Sequence, residues 1–87
     1  MKNNIHSVEL GMHLKVLRLG KKLSIEKLAY KTGISYTLLY KIEKGAVNTS
    51  FLIILKILSN LDCEAQHIAH LFESMMTSIK NNKSTDL

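Results

Sequence analysis

Proline is absent from this chain of 87 residues, and glycine appears only four times. With so few residues that break regular backbone, little punctuates the sequence except helix ends, which favours an all-α fold. Cysteine appears once, at Cys63, so no disulfide can form within the chain. The longest apolar run, Phe51 to Leu55, falls far short of the roughly 18 residues that a bilayer span requires. The first residues, Met1 to His6, are polar and hold no signal-peptide core. No internal repeat, glycine-rich phosphate loop or nucleophile–base constellation is visible. These absences exclude a membrane protein, a disulfide scaffold and an enzyme. The expectation is a soluble, cytoplasmic chain with no cofactor, no metal and no small-molecule ligand.

What is present suits one small globular domain. Hydrophobic residues make up 46% and charged residues 22%, enough to fill a modest core and to argue against a disordered chain. The net charge of +5 is unevenly spread. Residues 1–45 hold nine Lys/Arg against three Glu, a net of +6, and residues 46–87 hold three against four, a net of −1. A basic half joined to a neutral, greasy half suggests a polyanion-binding unit attached to an association unit. A generic basic surface is the plainer alternative.

Caps and 3.6-residue periodicity predict five helices. The first runs from about Val8 to Lys21, with Ser7 as its cap and Leu10, Leu14 and Leu17 on one face. The second follows Ser24, turns Leu28 and Ala29 inward and ends at Gly33. The third is capped by Ser35, buries Leu39 and Ile42 and stops at Gly45; Ser50 then caps a fourth, from Phe51 to about Asn60. The fifth spans about Glu64 to Ile79. The organisation expected is a single domain over 1–87: a helix-turn-helix core at 7–61, a dimerisation helix at 62–79 and a flexible tail at 80–87.

The second and third helices have the form of a helix-turn-helix, with small Ala29 at the crossing and a three-residue link from Gly33 to Ser35. Such a unit presents its second helix to the major groove. On the third helix, Tyr36, Thr37, Tyr40, Lys41 and Lys44 share the face opposite Leu39 and Ile42, and no carboxylate interrupts them. This stripe offers hydrogen-bond donors, apolar contact for thymine methyls and positive charge, as base edges and phosphates require. Ordinary solvated residues on a helical bundle are the alternative.

The run Leu14 to Ser50, LKVLRLGKKLSIEKLAYKTGISYTLLYKIEKGAVNTS, resembles the lambda-repressor/Cro (XRE-type) helix-turn-helix family. The most specific pieces are LS-x-E-x-LA at Leu23–Ala29, GIS at Gly33–Ser35 and IEKG at Ile42–Gly45. With a looser match through the fourth helix, the likeness covers about 60 of the 87 residues. It implies a five-helix lambda-repressor-like bundle that binds double-stranded DNA, usually as a dimer on a palindromic operator. It places Ser35 and Thr37 near phosphates and base edges, Tyr36, Tyr40 and Lys41 in the groove, and Asn48 close to the DNA backbone. It also implies an ion pair between Arg18 and Glu43, with a fully solvated Arg18 as the alternative.

Two positions depart from the family pattern. Ile25 stands where relatives usually have a phosphate-reaching Gln, leaving the backbone N–H groups after Ser24 to bind a phosphate. Tyr36 stands where Arg, Lys or Gln is common. A tyrosine there can touch a thymine methyl or donate one hydrogen bond, but it cannot grip guanine with two.

In the fifth helix, Ala65, Ile68, Phe72, Met75 and Ile79 recur at spacings of 3, 4, 3 and 4, a heptad-like seam widened by Leu71 and Met76. Leu52 and Ile53 add apolar surface where relatives are commonly polar. The expected two-fold interface therefore uses Leu52, Ile53, Ile68, Phe72, Met75 and Met76, unless the whole seam covers the chain's own core. Cys63, His67 and His70 have a spacing that could gather metal ligands, but without a fourth ligand nearby they read as solvent-exposed.

The functional expectation is a homodimeric, sequence-specific transcriptional regulator. Its length, its VNTS loop and its long final helix resemble restriction–modification controller proteins, and compact phage repressors are also similar. The alternative is an antitoxin-like protein-interaction module with secondary DNA binding. Nonspecific nucleoid binding is disfavoured by the uncharged Tyr36 and Thr37.

Overall fold

The computed structural model describes residues 5–62 and 65–86, with side-chain surroundings for 7–62, 66 and 68–81. Five helices follow one another: α1 Ile5–Gly20, α2 Ile25–Thr32, α3 Tyr36–Lys44, α4 Phe51–Asn60 and α5 Ala65–Asp86. Among the described residues there is no strand.

Three serines start three of these helices. Ser24, Ser35 and Ser50 have extended backbone, and each hydroxyl accepts from the N–H three residues on: Lys27 at 3.0 Å, Leu38 at 3.0 Å and Ile53 at 3.2 Å. Such a cap contributes about 1 kcal/mol by satisfying a donor that the helix cannot. Gly33 and Gly45 close α2 and α3 at φ 81° and φ 72°, a left-handed conformation that a side chain disfavours.

The core lies where α1 meets α3 and α5, and where α2 meets α3 and α4. Leu14, Leu28, Leu39, Ile57, Leu58 and Leu61 are fully buried, with Ala29, Ile42, Ile54 and Leu71 close behind. Each large side chain removed from water in this way contributes roughly 1.5–3 kcal/mol. Leu14 heads the expected α1 stripe, and Leu10 and Leu17 pack partly buried beside it.

The structure departs from expectation at both ends. α1 begins at Ile5, so Ser7 is inside the helix and does not cap it; its hydroxyl instead donates to Asn48 Oδ1 at 2.7 Å. α5 continues past Ile79 to Asp86, because no proline or glycine interrupts the polar segment after it. Leu71, grouped with the seam by its spacing, is a core residue.

Candidate nucleic-acid interface

α2 and α3 are joined by the turn that the sequence predicts. The Gly33 N–H donates to the carbonyls of Ala29 at 2.9 Å and Tyr30 at 3.2 Å, and the Ile34 N–H to Ala29 at 3.1 Å. The tight α2 ending and the Ser35 cap fix where α3 starts and which way its faces point. Leu39, Ile42 and Glu43 turn inward, whereas Tyr36, Thr37, Tyr40, Lys41 and Lys44 are all exposed. Tyr36 and Tyr40 stack with ring centroids 6.3 Å apart and planes within 8°. The Lys44 ammonium lies 5.5 Å from the Tyr40 ring centre, within cation–π range. Tyr36, Tyr40 and Lys44 thus form a row of neighbouring side chains along the face.

Beneath this face, Arg18 and Glu43 meet as a fork. Arg18 Nε donates to Glu43 Oε2 at 2.7 Å and Nη2 to Oε1 at 3.0 Å, while Nη1 donates to the Leu23 carbonyl at 2.7 Å. Only 6% of Arg18 and 7% of Glu43 is exposed. Both charges are therefore paired, and one guanidinium ties α1, the α1–α2 link and α3 together. The solvated alternative for Arg18 does not hold.

α1 is also held to α3 by close backbone approach. A Cβ on Gly11 would stand 2.5 Å from the carbonyl oxygens of Ile42 and Glu43, and one on Gly45 2.6 Å from the Val8 Cα. The Ser7–Asn48 hydrogen bond adds a tie between α1 and the loop after α3. With Oδ1 of Asn48 engaged there, the NH₂ group of the same carboxamide is the part suited to a phosphate.

Ser24 and Ser35 are exposed, and their hydroxyls are used as caps. Ile25 borders a cleft of about 130 Å³ whose other walls are Lys15, Arg18, Tyr40, Glu43 and Lys44. Lys15 did not stand out in the sequence. Its signal was its place three residues before Arg18, which puts both on one side of α1.

The candidate association residues separate into two groups. Ile53, Ile68, Phe72 and Met75 pack partly buried against the chain's own core, whereas Leu52 and Met76 are 62% and 56% exposed. Phe51 was overlooked by sequence reasoning: it is 63% exposed and lies against Phe72, with ring centroids 5.7 Å apart. Cys63 and the side chain of His67 lie outside the described residues. Among those described, no three His, Cys, Asp or Glu side chains gather as a metal site, and no helix is long and apolar enough to cross a membrane.

Comparison with known proteins places this geometry. A helix-turn-helix family model matches residues 14–68. The restriction–modification controller protein C.AhdI from Aeromonas hydrophila is 36% identical, with 70% of this chain and 92% of that one covered and a TM-score of 0.68. Two more distant structures share the fold. One is the controller C.Esp1396I, solved as a tetramer with its natural 35-base-pair operator: 24% identity, 87% and 96% coverage, TM-score 0.71. The other is the clp gene regulator ClgR from Corynebacterium glutamicum: 19% identity, 98% and 92% coverage, TM-score 0.71. A comparison with curated proteins finds no match. The family match spans most of the chain, from the middle of α1 into α5, and includes the capped turn and the α3 face described above; the chain is a member of the XRE-type helix-turn-helix family.

Proposed function

We propose that this chain is a sequence-specific DNA-binding transcriptional regulator of the restriction–modification controller kind, acting as a homodimer on a palindromic operator. The observation that carries the reading is the exposed, carboxylate-free face of α3, held in a capped helix-turn-helix. The likeness to C.AhdI supports the controller class.

In this reading Tyr36, Thr37, Tyr40 and Lys41 face base edges, and Ser24, Ser35, Lys44 and Asn48 face the sugar–phosphate backbone. Lys41→Ala is expected to cost roughly 1–3 kcal/mol on the cognate site and to relax preference at one base position. Lys44→Ala should weaken binding to all sequences alike and reduce the salt slope by about one unit. Salt-dependent binding isotherms on cognate and random duplexes separate the two. Equal loss on both duplexes for Lys41→Ala would remove it from base reading.

A single recognition helix reads only a few base pairs, so discrimination calls for two of them about 34 Å apart on one side of a dimer. Leu52 and Met76, with Phe51 beside Phe72, are exposed apolar side chains of α4 and α5 suited to a two-fold contact. Leu52→Glu combined with Met76→Glu should give a folded monomer that binds half-sites weakly. Ile53→Glu or Met75→Glu would disturb the core as well, because both side chains pack against it. Sedimentation at micromolar concentration is the measurement. An unaltered chain that stays monomeric, with and without operator DNA, would sink the dimer.

One observation favours the antitoxin-like alternative. Met12, Val16 and Leu19 form an exposed apolar stripe on α1, apart from the side chains proposed for the dimer. A monomer that binds no preferred DNA sequence but copurifies with a foreign protein would favour that alternative.

A further inference from the structure

Tyr36 and Tyr40 are 54% and 43% exposed, so the bundle does not order them by burial. They order each other: one ring lies parallel to the next, one helical turn on, and the Lys44 ammonium lies over the second. Offset-parallel packing and a cation over a ring face are both favourable for aromatic side chains. Part of the rotamer freedom that an exposed side chain gives up on binding is therefore lost before DNA arrives.

Such a pair reads one kind of feature well. The facing rings and the nearby ammonium hold the pair in place, and its exposed edges and hydroxyls can meet a ligand. A tyrosine lacks the paired donors that grip guanine, and the donor–acceptor pair that grips adenine. The apolar feature of the major groove is the C5-methyl group of thymine, and 5-methylcytosine carries the same group.

Building on the regulator reading, we propose that Tyr36 and Tyr40 act as one two-ring unit that reads the C5-methyl groups of two nearby pyrimidines in each half-site. Lys41 then supplies the polar contact to a neighbouring base, and the Tyr pair supplies methyl recognition. The role assigned is specificity for a methyl group, which a purely structural pair of tyrosines would not confer.

The test begins with sites selected from random duplexes by the full chain. Thymine is expected at two nearby positions of each half-site. Replacing either with uracil removes only the methyl and should weaken binding roughly three- to fivefold, the scale for burying one such group. Tyr36→Phe keeps the ring stack and should keep both uracil penalties. Tyr36→Ala removes one ring and frees the other, so both penalties should shrink, with helical content and melting unchanged at this exposed position. At the same two positions, 5-methylcytosine should be bound three- to fivefold tighter than cytosine; equal binding would assign the preference to the thymine carbonyl. A selected site bound equally well with uracil overturns the methyl reading while leaving the regulator intact. So does loss of the penalties in Tyr36→Phe. Absence of any sequence preference overturns the regulator reading itself, and this proposal with it.

Discussion

Arg18→Ala is expected to lower the unfolding free energy by about 3–5 kcal/mol, the usual cost of removing one partner from a buried ion pair. The magnitude follows from what the substitution leaves behind. Glu43 is 7% exposed and would keep a buried carboxylate without its two donors, and the Leu23 carbonyl would lose the donor it has in Arg18 Nη1. Domains of this size have only about 5–15 kcal/mol of stability, so the loss is a large fraction of the whole. DNA affinity should fall even well below the melting temperature, because the fork orients α3. Replacing both partners, as in Arg18→Met with Glu43→Leu, removes both charges and should recover most of the stability. Recovery should stop short of complete because of the Leu23 carbonyl. Denaturant unfolding of the three variants, with binding isotherms on each, decides the matter; unchanged unfolding of Arg18→Ala would reduce the fork to a dispensable contact.

Gly11→Ala should also destabilise, against what helix propensity alone indicates. Inside a helix, alanine is favoured over glycine by about 1 kcal/mol. Here the new methyl would stand 2.5 Å from two backbone carbonyl oxygens of α3, and backbone cannot swing aside as a long side chain can. Overpacking of this kind costs typically about 1–3 kcal/mol, and an unyielding neighbour puts this position at the upper end or beyond. The expected net loss is about 2 kcal/mol or more. The displaced residues, Ile42 and Glu43, carry the inner face and the ion pair of the recognition helix. Cognate affinity should therefore drop with stability. Gly20→Ala is the control: nothing lies within 4 Å of a Cβ there, so it should be neutral or slightly stabilising. Thermal melting of both variants gives the sign, and a Gly11→Ala protein at least as stable as the original would refute the close-approach argument.

Much of this fold was legible because the signals are local. Each serine cap acts on an N–H three residues away, and each left-handed glycine answers to its own φ, so neither depends on the rest of the chain. The link from Gly33 to Ser35 and the outward face of α3 followed from those signals with helical periodicity. The resemblance named the Arg18–Glu43 pair, which periodicity alone could not: an arginine and a glutamate on different helices carry no local mark of their meeting.

What tertiary structure decided are the contacts between segments far apart in sequence. Ser7 looks like a cap and acts as a donor to Asn48, because α1 starts a turn earlier than its polar residues suggest. Gly11 gives no sequence signal distinct from Gly20, yet one is pressed against α3 and the other faces open space. The heptad-like seam of α5 is similarly divided, with Leu71 in the core and Met76 left in solvent, because which arc of an apolar stripe is covered depends on where α1 crosses it. The starts of α2, α3 and α4 were determined by sequence, through their serine caps, and the faces of α3 through periodicity. Which side chains remain free to meet DNA or a second copy was decided by packing, since burial is a property of the assembled helices and of no single one.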